Sequence, residues 1–222
     1  MRGRFITFEG GEGTGKSSHA SLLARRLEAL GIEVVLTREP GGSTGAEIIR
    51  HVILSGAAKP FGPAAEAILF AAARDDHLNQ TIRPALARGA WVICDRFTDS
   101  TVVYQGILGG VDLNLIKAIE RIVVGDDKPD LTIVLDVPPE LGLQRAASRR
   151  GTGAADRFEA EAIQYHTKLR EAFRALAAKD RGRCVLIDTT LPREQVADGI
   201  WNEVQSRLTP QKYRGTFREA AS

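Results

Sequence analysis

Short apolar runs alternate along this chain with longer segments in which apolar residues recur at helical spacing. The short runs cover residues 5–8, 32–36, 91–94, 131–135 and 184–187. From the third run onward they are almost wholly apolar, which is typical of strands buried on both faces. The alternation predicts an α/β fold built on a five-stranded parallel sheet with helices on both faces.

The longer segments are predicted helices that end at glycines. One carries leucines at helical spacing and ends at Gly31, and another covers residues 63–88 and ends at Gly89. Glycine often ends a helix because it adopts the left-handed backbone conformation without strain. Ligands of parallel sheets bind beyond the carboxyl ends of the strands, so the polar residues after the first three strands mark the expected site.

Length and composition fit one compact domain of ordinary polarity. The chain has 222 residues, of which 43% are hydrophobic and 26% charged, and its net charge is +2. A general nucleic-acid-binding protein would carry a marked basic excess, so we expect no nucleic-acid partner. We expect a single domain over residues 1–222, with no interdomain linker.

The cysteines and the first residues favour a cytoplasmic protein. Cys94 and Cys184 lie in apolar runs and are expected to be buried thiols, since two isolated cysteines provide neither a disulfide framework nor metal-ligand spacing. The amino terminus leads directly into a strand, without the apolar core of a signal peptide. No apolar stretch is long enough to cross a bilayer, so we expect no membrane partner.

Residues 10–17, GGEGTGKS, match the phosphate-binding pattern G-x-x-x-x-G-K-[ST] between the first predicted strand and a helix. Glycines let backbone N–H groups turn inward around phosphates, and the helix N-terminus adds a partial positive charge. We predict that Lys16 reaches the β- and γ-phosphates of ATP and that the Ser17 hydroxyl binds Mg²⁺. The alternative is a glycine-rich turn without a ligand. The predicted ATP-binding residues of this loop are Gly10, Gly11, Glu12, Gly13, Thr14, Gly15, Lys16, Ser17 and Ser18.

Asp95 closes the third apolar run, where P-loop proteins place a carboxylate for the metal ion. We predict that it binds Mg²⁺, directly or through water, together with Ser17. From position alone, a helix-capping or turn aspartate is the alternative.

A phosphate-binding loop does not by itself choose between a kinase, a switch GTPase and a motor ATPase. The residues after the fourth and fifth strands lack the Asn/Thr-Lys-x-Asp element of guanine-specific switches. A small kinase needs mobile arginines to neutralise charge in the transition state, and residues 145–157 supply them. A solvated basic loop is the alternative. We expect residues 148–155 and the tail after about residue 209 to be mobile.

Several further motifs occur in order along the chain. They are FITFEG at 5–10, TREPGG at 37–42, LFAAAR at 69–74, DRFTDS at 95–100 with YQG at 104–106, and DRFE at 156–159. With these motifs the chain resembles thymidylate kinases from residue 4 to about residue 205. The resemblance implies a P-loop NTPase fold with a small mobile lid. One departure is Phe97, where the family often has Tyr or His.

The resemblance implies a nucleobase site. Phe70 would stack on thymine, Arg74 and Gln105 would hydrogen-bond the base edge, and Thr101 would lie beside them. Tyr104 would press against the sugar carbon that lacks a hydroxyl and so disfavour ribonucleotides. From the residues alone, a core position is the default for Phe70 and an equal alternative for Tyr104.

The resemblance also implies a site for the acceptor phosphate. Arg96 and Arg50 would clamp the phosphate, since a bidentate guanidinium suits a dianion. By default, Arg50 is a surface arginine on a helix. Glu12 would point away from the ATP phosphates and accept a hydrogen bond from the sugar 3′-hydroxyl. Arg38 and Glu39 would support the phosphate and its metal or water environment.

The family divides by the position of its catalytic arginine. One group places it in the P-loop just after the acidic residue. Here that position is Gly13, so the resemblance assigns the role to the lid, as in bacterial-type enzymes. Arg149 or Arg150 is the candidate, Arg157 would assist, and Arg145 would stack near adenine. The expected catalytic residues are Lys16, Asp95, Arg96, Arg149, Arg150 and Arg157.

The resemblance thus implies transfer of the γ-phosphoryl group of ATP·Mg²⁺ to dTMP, giving dTDP for dTTP supply, by a homodimer. Two alternatives remain open. One is a kinase for another monophosphate, such as dUMP or CMP, and the other is an ATP-dependent switch or assembly protein.

Overall fold

A computed structural model describes residues 2–150, 158 and 161–208 of the chain. Within this part of the chain, five parallel strands form one sheet in the order β2-β3-β1-β4-β5. The predicted α/β class and parallel sheet are confirmed. The strands are β1 (Phe5–Glu9), β2 (Val34–Arg38), β3 (Trp91–Asp95), β4 (Leu131–Asp136) and β5 (Cys184–Asp188).

Helices follow the strands, and two of them continue into π-helical segments. Leu78–Ile82 is a π-helical link between α3 and α4, and Val102–Leu108 extends α5, while a 3₁₀ turn at Lys59–Phe61 precedes α3. None of the helices in the described ranges combines the length and apolarity needed to span a bilayer. The helices are α1 (Lys16–Glu28), α2 (Thr44–Leu54), α3 (Gly62–His77), α4 (Arg83–Ala87), α5 (Thr98–Thr101), α6 (Leu113–Val123), α7 (Pro139–Arg150), α8 (Ile163–Lys179) and α9 (Arg193–Leu208).

Helices cover both faces of the sheet, because successive side chains of each strand point to opposite faces. On one face, Ile6, Phe8 and Ile133 pack against apolar residues of α1 and α9. On the other face, Phe5 packs among residues of the π-helical link and α4, and Val134 packs against α8. β1 is buried along its whole length, so the loop that follows it starts from a rigid base.

Two strand predictions need correction. β2 begins at Val34 and not at Ile32, because the Ile32 N–H donates to the carbonyl of Leu27 at 3.2 Å and closes the turn after α1. The prediction that β5 is buried on both faces is wrong. In the described sheet β5 pairs only with β4, and its side chains alternate in burial, with Leu186 38% exposed. Apolar composition does not reveal whether a strand has a second neighbour.

The predicted mobile segments lie mostly outside the described residues. Ser148, Arg149 and Arg150 form the last turn of α7, so this part of the predicted segment is helical. Residues 151–157 and 209–222 are not among those described. The arginine pair is therefore carried by a helix that starts just after β4.

The carboxyl ends of the strands meet at one edge of the sheet. β1 ends at Glu9 immediately before the glycine-rich loop, β2 ends at Arg38, and β3 ends at Asp95. β1 lies between β3 and β4, where the strand order reverses and parallel sheets open a crevice for ligands. The polar residues predicted to form a site are brought together there.

Candidate active site

The glycine-rich loop, residues 10–17, turns sharply between β1 and α1. Gly10 and Gly15 have φ angles of 130° and 91°, which residues with a Cβ rarely adopt. A Cβ on Gly10 would lie 2.3 Å from the carbonyl oxygen of Leu135. Since α1 begins at Lys16, its unpaired N–H groups face the loop. This is the local geometry of a phosphate-binding loop.

Lys16 is buried, and its ammonium group is held by the loop itself. The Nζ atom donates to the carbonyls of Gly10 at 3.1 Å and Gly11 at 2.7 Å. Burial lowers the pKa of Lys16 to about 8, with a further lowering by Arg96 that the Glu12 carboxylate opposes. A phosphate dianion would favour the charged form, so the group gains charge when a nucleotide arrives.

Ser17 and Asp95 meet at the start of α1. The Ser17 hydroxyl donates to Oδ2 of Asp95 at 2.5 Å, although the two residues are 78 positions apart in sequence. A hydroxyl and a carboxylate are hard oxygen donors, which Mg²⁺ prefers, and this ion usually takes its other ligands from water and phosphates. The pair therefore has the right chemistry for the predicted metal position.

Arg96 links the loop to the segment after β3. Its Nη2 atom donates to Oε1 of Glu12 at 2.7 Å, and Nη1 donates to the Gly10 carbonyl and to Oγ of Ser100. Burial by itself would raise the pKa of Glu12, but the charges of Arg96 and Lys16 outweigh it and lower that pKa to about 2. Arg96 has a φ of 71°, an uncommon conformation for a residue other than glycine.

Glu9, for which the sequence indicated no role, holds this segment in place. Its carboxylate accepts hydrogen bonds from the N–H groups of Phe97 and Ser100, at 2.8 and 3.2 Å, and from the Ser100 hydroxyl at 2.6 Å. Complete burial, with Asp99 nearby, raises the pKa of Glu9 to about 7. The only available signal was its position between a buried strand and the glycine-rich loop.

A cavity of about 220 Å³ opens between the glycine-rich loop and α3. It is lined by every residue that the resemblance assigns to the acceptor, namely Glu12, Arg38, Glu39, Arg50, Phe70, Arg74, Arg96, Thr101, Tyr104 and Gln105. Lining residues that were not predicted are Pro40, Leu54, Phe97, Ser100 and Phe158. The predicted site residues in the described part of the chain that do not line it are Gly10, Gly11, Thr14, Ser18, Arg145 and Arg150.

The deep end of this cavity is built around Arg74. The side chain is 5% exposed, its Nε donates to Oε2 of Glu39 at 2.7 Å, and its Nη2 donates to Oγ1 of Thr101 at 3.1 Å. The guanidinium also lies over the Phe97 ring, 5.1 Å from its centroid. Phe70, one turn earlier on α3, is half-buried and lines the cavity, so it is not wholly enclosed in the core.

Tyr104 belongs both to the cavity wall and to the core. Its hydroxyl donates to Oε1 of Glu12 at 3.4 Å, and the Arg96 guanidinium lies 5.2 Å from its ring centroid. The ring packs edge-to-face on Phe158 at 5.3 Å, and burial raises the pKa of the Tyr104 hydroxyl. Gln105, next along the same segment, is buried and also lines the cavity.

Two arginines line the cavity on the β2 side. Arg50 is half-buried, and its Nη1 donates to the Pro40 carbonyl at 2.5 Å, so it is not a freely solvated surface arginine. Arg38 is exposed and pairs with Glu47 at 2.8 Å. Both arginines thus line the cavity while each is held by a neighbouring group.

The arginines of α7 occupy different positions. The Nη1 atom of Arg145 donates to the Thr189 carbonyl at 2.9 Å, which fixes the side chain next to the loop after β5. Arg149 is exposed and lines the cavity, whereas Arg150 is half-buried and does not. Arg157 lies outside the described residues.

α7 and the glycine-rich loop touch through glycine backbones. A Cβ on Gly13 would lie 1.8 Å from the Gly142 carbonyl oxygen, and a Cβ on Gly142 would lie 2.5 Å from the Glu12 carbonyl oxygen. Gly13 also has a φ of 68°. Position 13 therefore has no room for a side chain in this arrangement, in agreement with an arginine supplied from elsewhere.

A phosphate-binding loop whose lysine and serine line one cavity together with several arginines defines a P-loop kinase. The family model described as thymidylate kinase matches residues 8–200. The chain belongs to the thymidylate kinase family. It is thus a kinase that phosphorylates dTMP with ATP, and the predicted family, fold and reaction are confirmed.

Relatives and a solved structure agree with the family model. The thymidylate kinase of Nitrobacter winogradskyi is 60% identical over 93% of this chain and 90% of its own length. That of Bradyrhizobium diazoefficiens is 58% identical over 94% of this chain and 92% of its own length. The crystal structure of thymidylate kinase from Ehrlichia chaffeensis matches with a TM-score of 0.75 at 31% identity, covering 92% of this chain and 100% of that one.

The pKa of Lys16 predicts that ATP binding takes up a proton. At pH 8 about half of the Lys16 side chains are neutral in the free enzyme, and bound phosphates restore the charge, so we expect uptake of about half a proton per ATP. At pH 6.5 Lys16 is already charged in the free enzyme, so the proton uptake by Lys16 on ATP binding should become small. Isothermal titration calorimetry in buffers of different ionisation enthalpy measures this.

The matched control is Lys16→Arg, which keeps a positive charge that does not titrate in this range. When this variant binds ATP, it should take up no more protons at pH 8 than at pH 6.5. The same uptake in both proteins would contradict the assignment to Lys16.

Proposed function

We propose that the cavity binds dTMP with its phosphate towards Lys16 and its base towards Arg74, while the glycine-rich loop binds ATP. The observation that carries this proposal is one continuous cavity with Lys16 and Ser17 at one end and Phe70 and Arg74 at the other. Phosphoryl transfer needs both phosphates within reach of each other, and this arrangement supplies a shared wall.

The base site would use one aromatic face and two polar groups. Phe70 would stack on thymine, and Arg74 and Gln105 would hydrogen-bond its edge, with Thr101 holding the Arg74 guanidinium. Tyr104 would contact the sugar carbon that lacks a hydroxyl and so disfavour ribonucleotides. The burial of Gln105 and Arg74 supports this, because buried polar groups left without a ligand partner make the wrong base costly.

The acceptor phosphate would lie among Arg96, Arg50 and Arg38. Arg96 is the central group, because its guanidinium is already oriented by Glu12 and Ser100. Glu12 would also accept a hydrogen bond from the sugar 3′-hydroxyl. Glu39 would support the site indirectly, through its ion pair with Arg74.

ATP would be held by the backbone N–H groups of the loop and α1, in line with the helix N-terminus observed there. Lys16 would contact the β- and γ-phosphates, with Ser18 nearby, and Arg145 would stack on adenine from its position on Thr189. Ser17 and Asp95 would hold Mg²⁺, which neutralises charge on the transferring phosphoryl group. The residues that would surround the ATP phosphates are Gly10, Gly11, Glu12, Gly13, Thr14, Gly15, Lys16, Ser17 and Ser18.

We propose a single kinase domain over residues 1–222, with a lid at about residues 145–157; the predicted tail after about residue 209 lies outside the described residues. The loose transition state of phosphoryl transfer needs positioning and charge neutralisation more than a general base. Arg149 is the proposed lid arginine because it lines the cavity, with Arg150 and Arg157 in support. A closed lid would keep water from the γ-phosphate.

The acceptor assignment is tested by release of ADP with a panel of monophosphates. We expect turnover with dTMP to exceed that with CMP, GMP and AMP, because the polar groups of the base site match the edge of thymine. Turnover with dUMP should also be lower, because its polar edge is the same but it lacks the methyl group of thymine, which would bury apolar area in the cavity. Arg96→Ala should lower kcat/KM by about 10²-fold or more, since it removes a charged partner of the phosphate. Arg181→Ala, at an exposed arginine outside the cavity, is the control. Near-normal turnover by Arg96→Ala would remove Arg96 from the mechanism.

The lid assignment separates two adjacent arginines. Arg149→Ala should lower kcat by about 10²- to 10³-fold, because a donor aimed at developing charge is lost. Arg150→Ala should lower kcat by less than about 10-fold, since this side chain does not line the cavity. Single-turnover rates at saturating ATP and dTMP measure both. The opposite ranking would transfer the role to Arg150.

We propose that the enzyme is a homodimer that associates through α2, α3 and α6. Adjacent helices α2, α3 and α6 expose large apolar side chains that are 41–79% accessible in the single chain. Such a patch is costly in water and marks an interaction surface. The exposed apolar residues of these helices are Ile48, Val52, Ile68, Leu113, Leu115 and Ile122.

A cytoplasmic location is also proposed, in line with two buried thiols without a disulfide.

Light scattering after size exclusion tests the dimer. The enzyme should elute at twice the 24.1 kDa chain mass, and Ile68→Glu should shift it towards the monomer because a charge enters the apolar surface. Leu191→Glu, at a half-exposed residue outside these helices, should leave the mass unchanged. A wild-type enzyme of 24.1 kDa would contradict the proposal.

A further inference from the structure

His77 is a buried polar residue to which neither the sequence nor the proposed mechanism gives a role. It is the last residue of α3, its side chain is fully buried, and both ring nitrogens have partners. Nδ1 lies 3.1 Å from Oε1 of Glu39, and Nε2 lies 2.7 Å from Oγ1 of Thr37. A ring bound at both nitrogens is fixed in one orientation.

The neighbouring backbone confines the same ring. A Cβ on Gly42 would lie 2.4 Å from Nε2 of His77 and 2.3 Å from Oγ1 of Thr37. The loop after β2 therefore closes onto the histidine without a side chain in between. Thr81 adds a hydrogen bond to the Gly42 carbonyl at 2.8 Å, which holds the loop against the π-helical link.

Glu39 is shared between His77 and Arg74. Its Oε1 faces His77, and its Oε2 accepts from Nε of Arg74 at 2.7 Å. Arg74 and His77 are three residues apart on α3, so they lie on the same face and reach opposite oxygens of one carboxylate. The carboxylate is almost fully buried, where an unsatisfied oxygen is costly and a second partner restricts its rotation.

The tautomer of His77 follows from these partners. The carboxylate of Glu39 can only accept, so Nδ1 of His77 carries the hydrogen that it receives. Nε2 shares the second hydrogen bond of the ring with the Thr37 hydroxyl. Hydrogen bonds thus link Thr37 through His77 to Glu39, with Arg74 donating to Glu39 from the other side.

We propose that His77 is a positioning residue for base recognition, which fixes Glu39 and through it the guanidinium of Arg74. The proposal rests on the base-reading role of Arg74 given above. The two hydrogen bonds of Arg74 to Glu39 and Thr101 use Nε and Nη2, and its guanidinium faces the cavity. A donor held in one place favours the O4 acceptor of thymine and disfavours the amino group of cytosine.

Two substitutions at His77 separate its two hydrogen bonds. His77→Asn keeps an amide N–H near the position of Nδ1 and can still donate to Glu39. His77→Gln places its amide near the position of Nε2, where it reaches Thr37 and leaves Glu39 without its partner. Both variants lose the ring, so a merely structural role predicts similar effects of the two.

We expect His77→Gln to raise KM for dTMP by about 10-fold and to reduce the preference for dTMP over dCMP by a similar factor. Values of kcat and of KM for ATP should stay within about 2-fold, because the loss concerns acceptor binding alone. His77→Asn should stay within about 3-fold of wild type in all of these. Thermal melts establish that each variant is folded at the assay temperature.

Arg74→Met distinguishes failure of this inference from failure of the base site. If Arg74→Met leaves KM for dTMP and the dTMP preference unchanged, the base-reading role of Arg74 is wrong and the inference falls with it. If Arg74→Met raises KM but His77→Gln does not, only the role of His77 is overturned. Combining both substitutions should add little to Arg74→Met alone, since His77 acts through Arg74.

Thr37→Val supplies a second route if His77→Gln does not fold. It removes the hydroxyl that holds Nε2 of His77 with little change in volume, and it should shift KM for dTMP in the same direction by a smaller factor. Equal shifts in His77→Asn and His77→Gln, or an unchanged KM for dTMP in a folded Thr37→Val, would overturn the proposal.

Discussion

The Glu12–Arg96 ion pair joins the glycine-rich loop to the segment after β3 that lines the cavity. Glu12 lies in the glycine-rich loop and Arg96 follows β3, and less than a fifth of each side chain is exposed. At this depth a lone charge is costly, so each group stabilises the charge of the other. Arg96 also reaches Gly10 and Ser100, so loop and cavity wall are tied to one guanidinium. A phosphate that bound beside Arg96 would meet a guanidinium that has already lost its water, because the ion pair with Glu12 offsets the cost of removing that water.

Sequence patterns could predict the parts of the site that are contiguous in the chain. The glycine-rich loop and Asp95 are recognisable because each directly follows an apolar strand. Glu9 and His77 were not assigned, because their hydrogen-bond partners lie 88 and 40 residues away and only the folded sheet brings them together. Adjacent residues on a helix point about 100° apart, so the orientation of α7 decides which of Arg149 and Arg150 lines the cavity.

The two π-helical segments lie next to cavity residues of α3 and α5, and the apolar pattern of the sequence does not reveal them. Leu78–Ile82 follows the helix that carries Arg74, and Val102–Leu108 contains Tyr104 and Gln105. A π-helical turn shifts the following residues around the helix axis, so helical periodicity no longer tells which side chains are buried. The family resemblance supplied these residues, and the sequence alone left Tyr104 open between core and site.

The contact between Gly13 and Gly142 has an evolutionary consequence. Two backbones in van der Waals contact leave no gap into which a new side chain can grow, so the loop and α7 behave as one rigid joint. A lineage with this joint does not reach the alternative architecture, with an arginine inside the loop, by one replacement at position 13. An arginine at position 13 would require α7 to move away from the loop in the same step. A change from a glycine to an arginine at this position would therefore need more than one substitution.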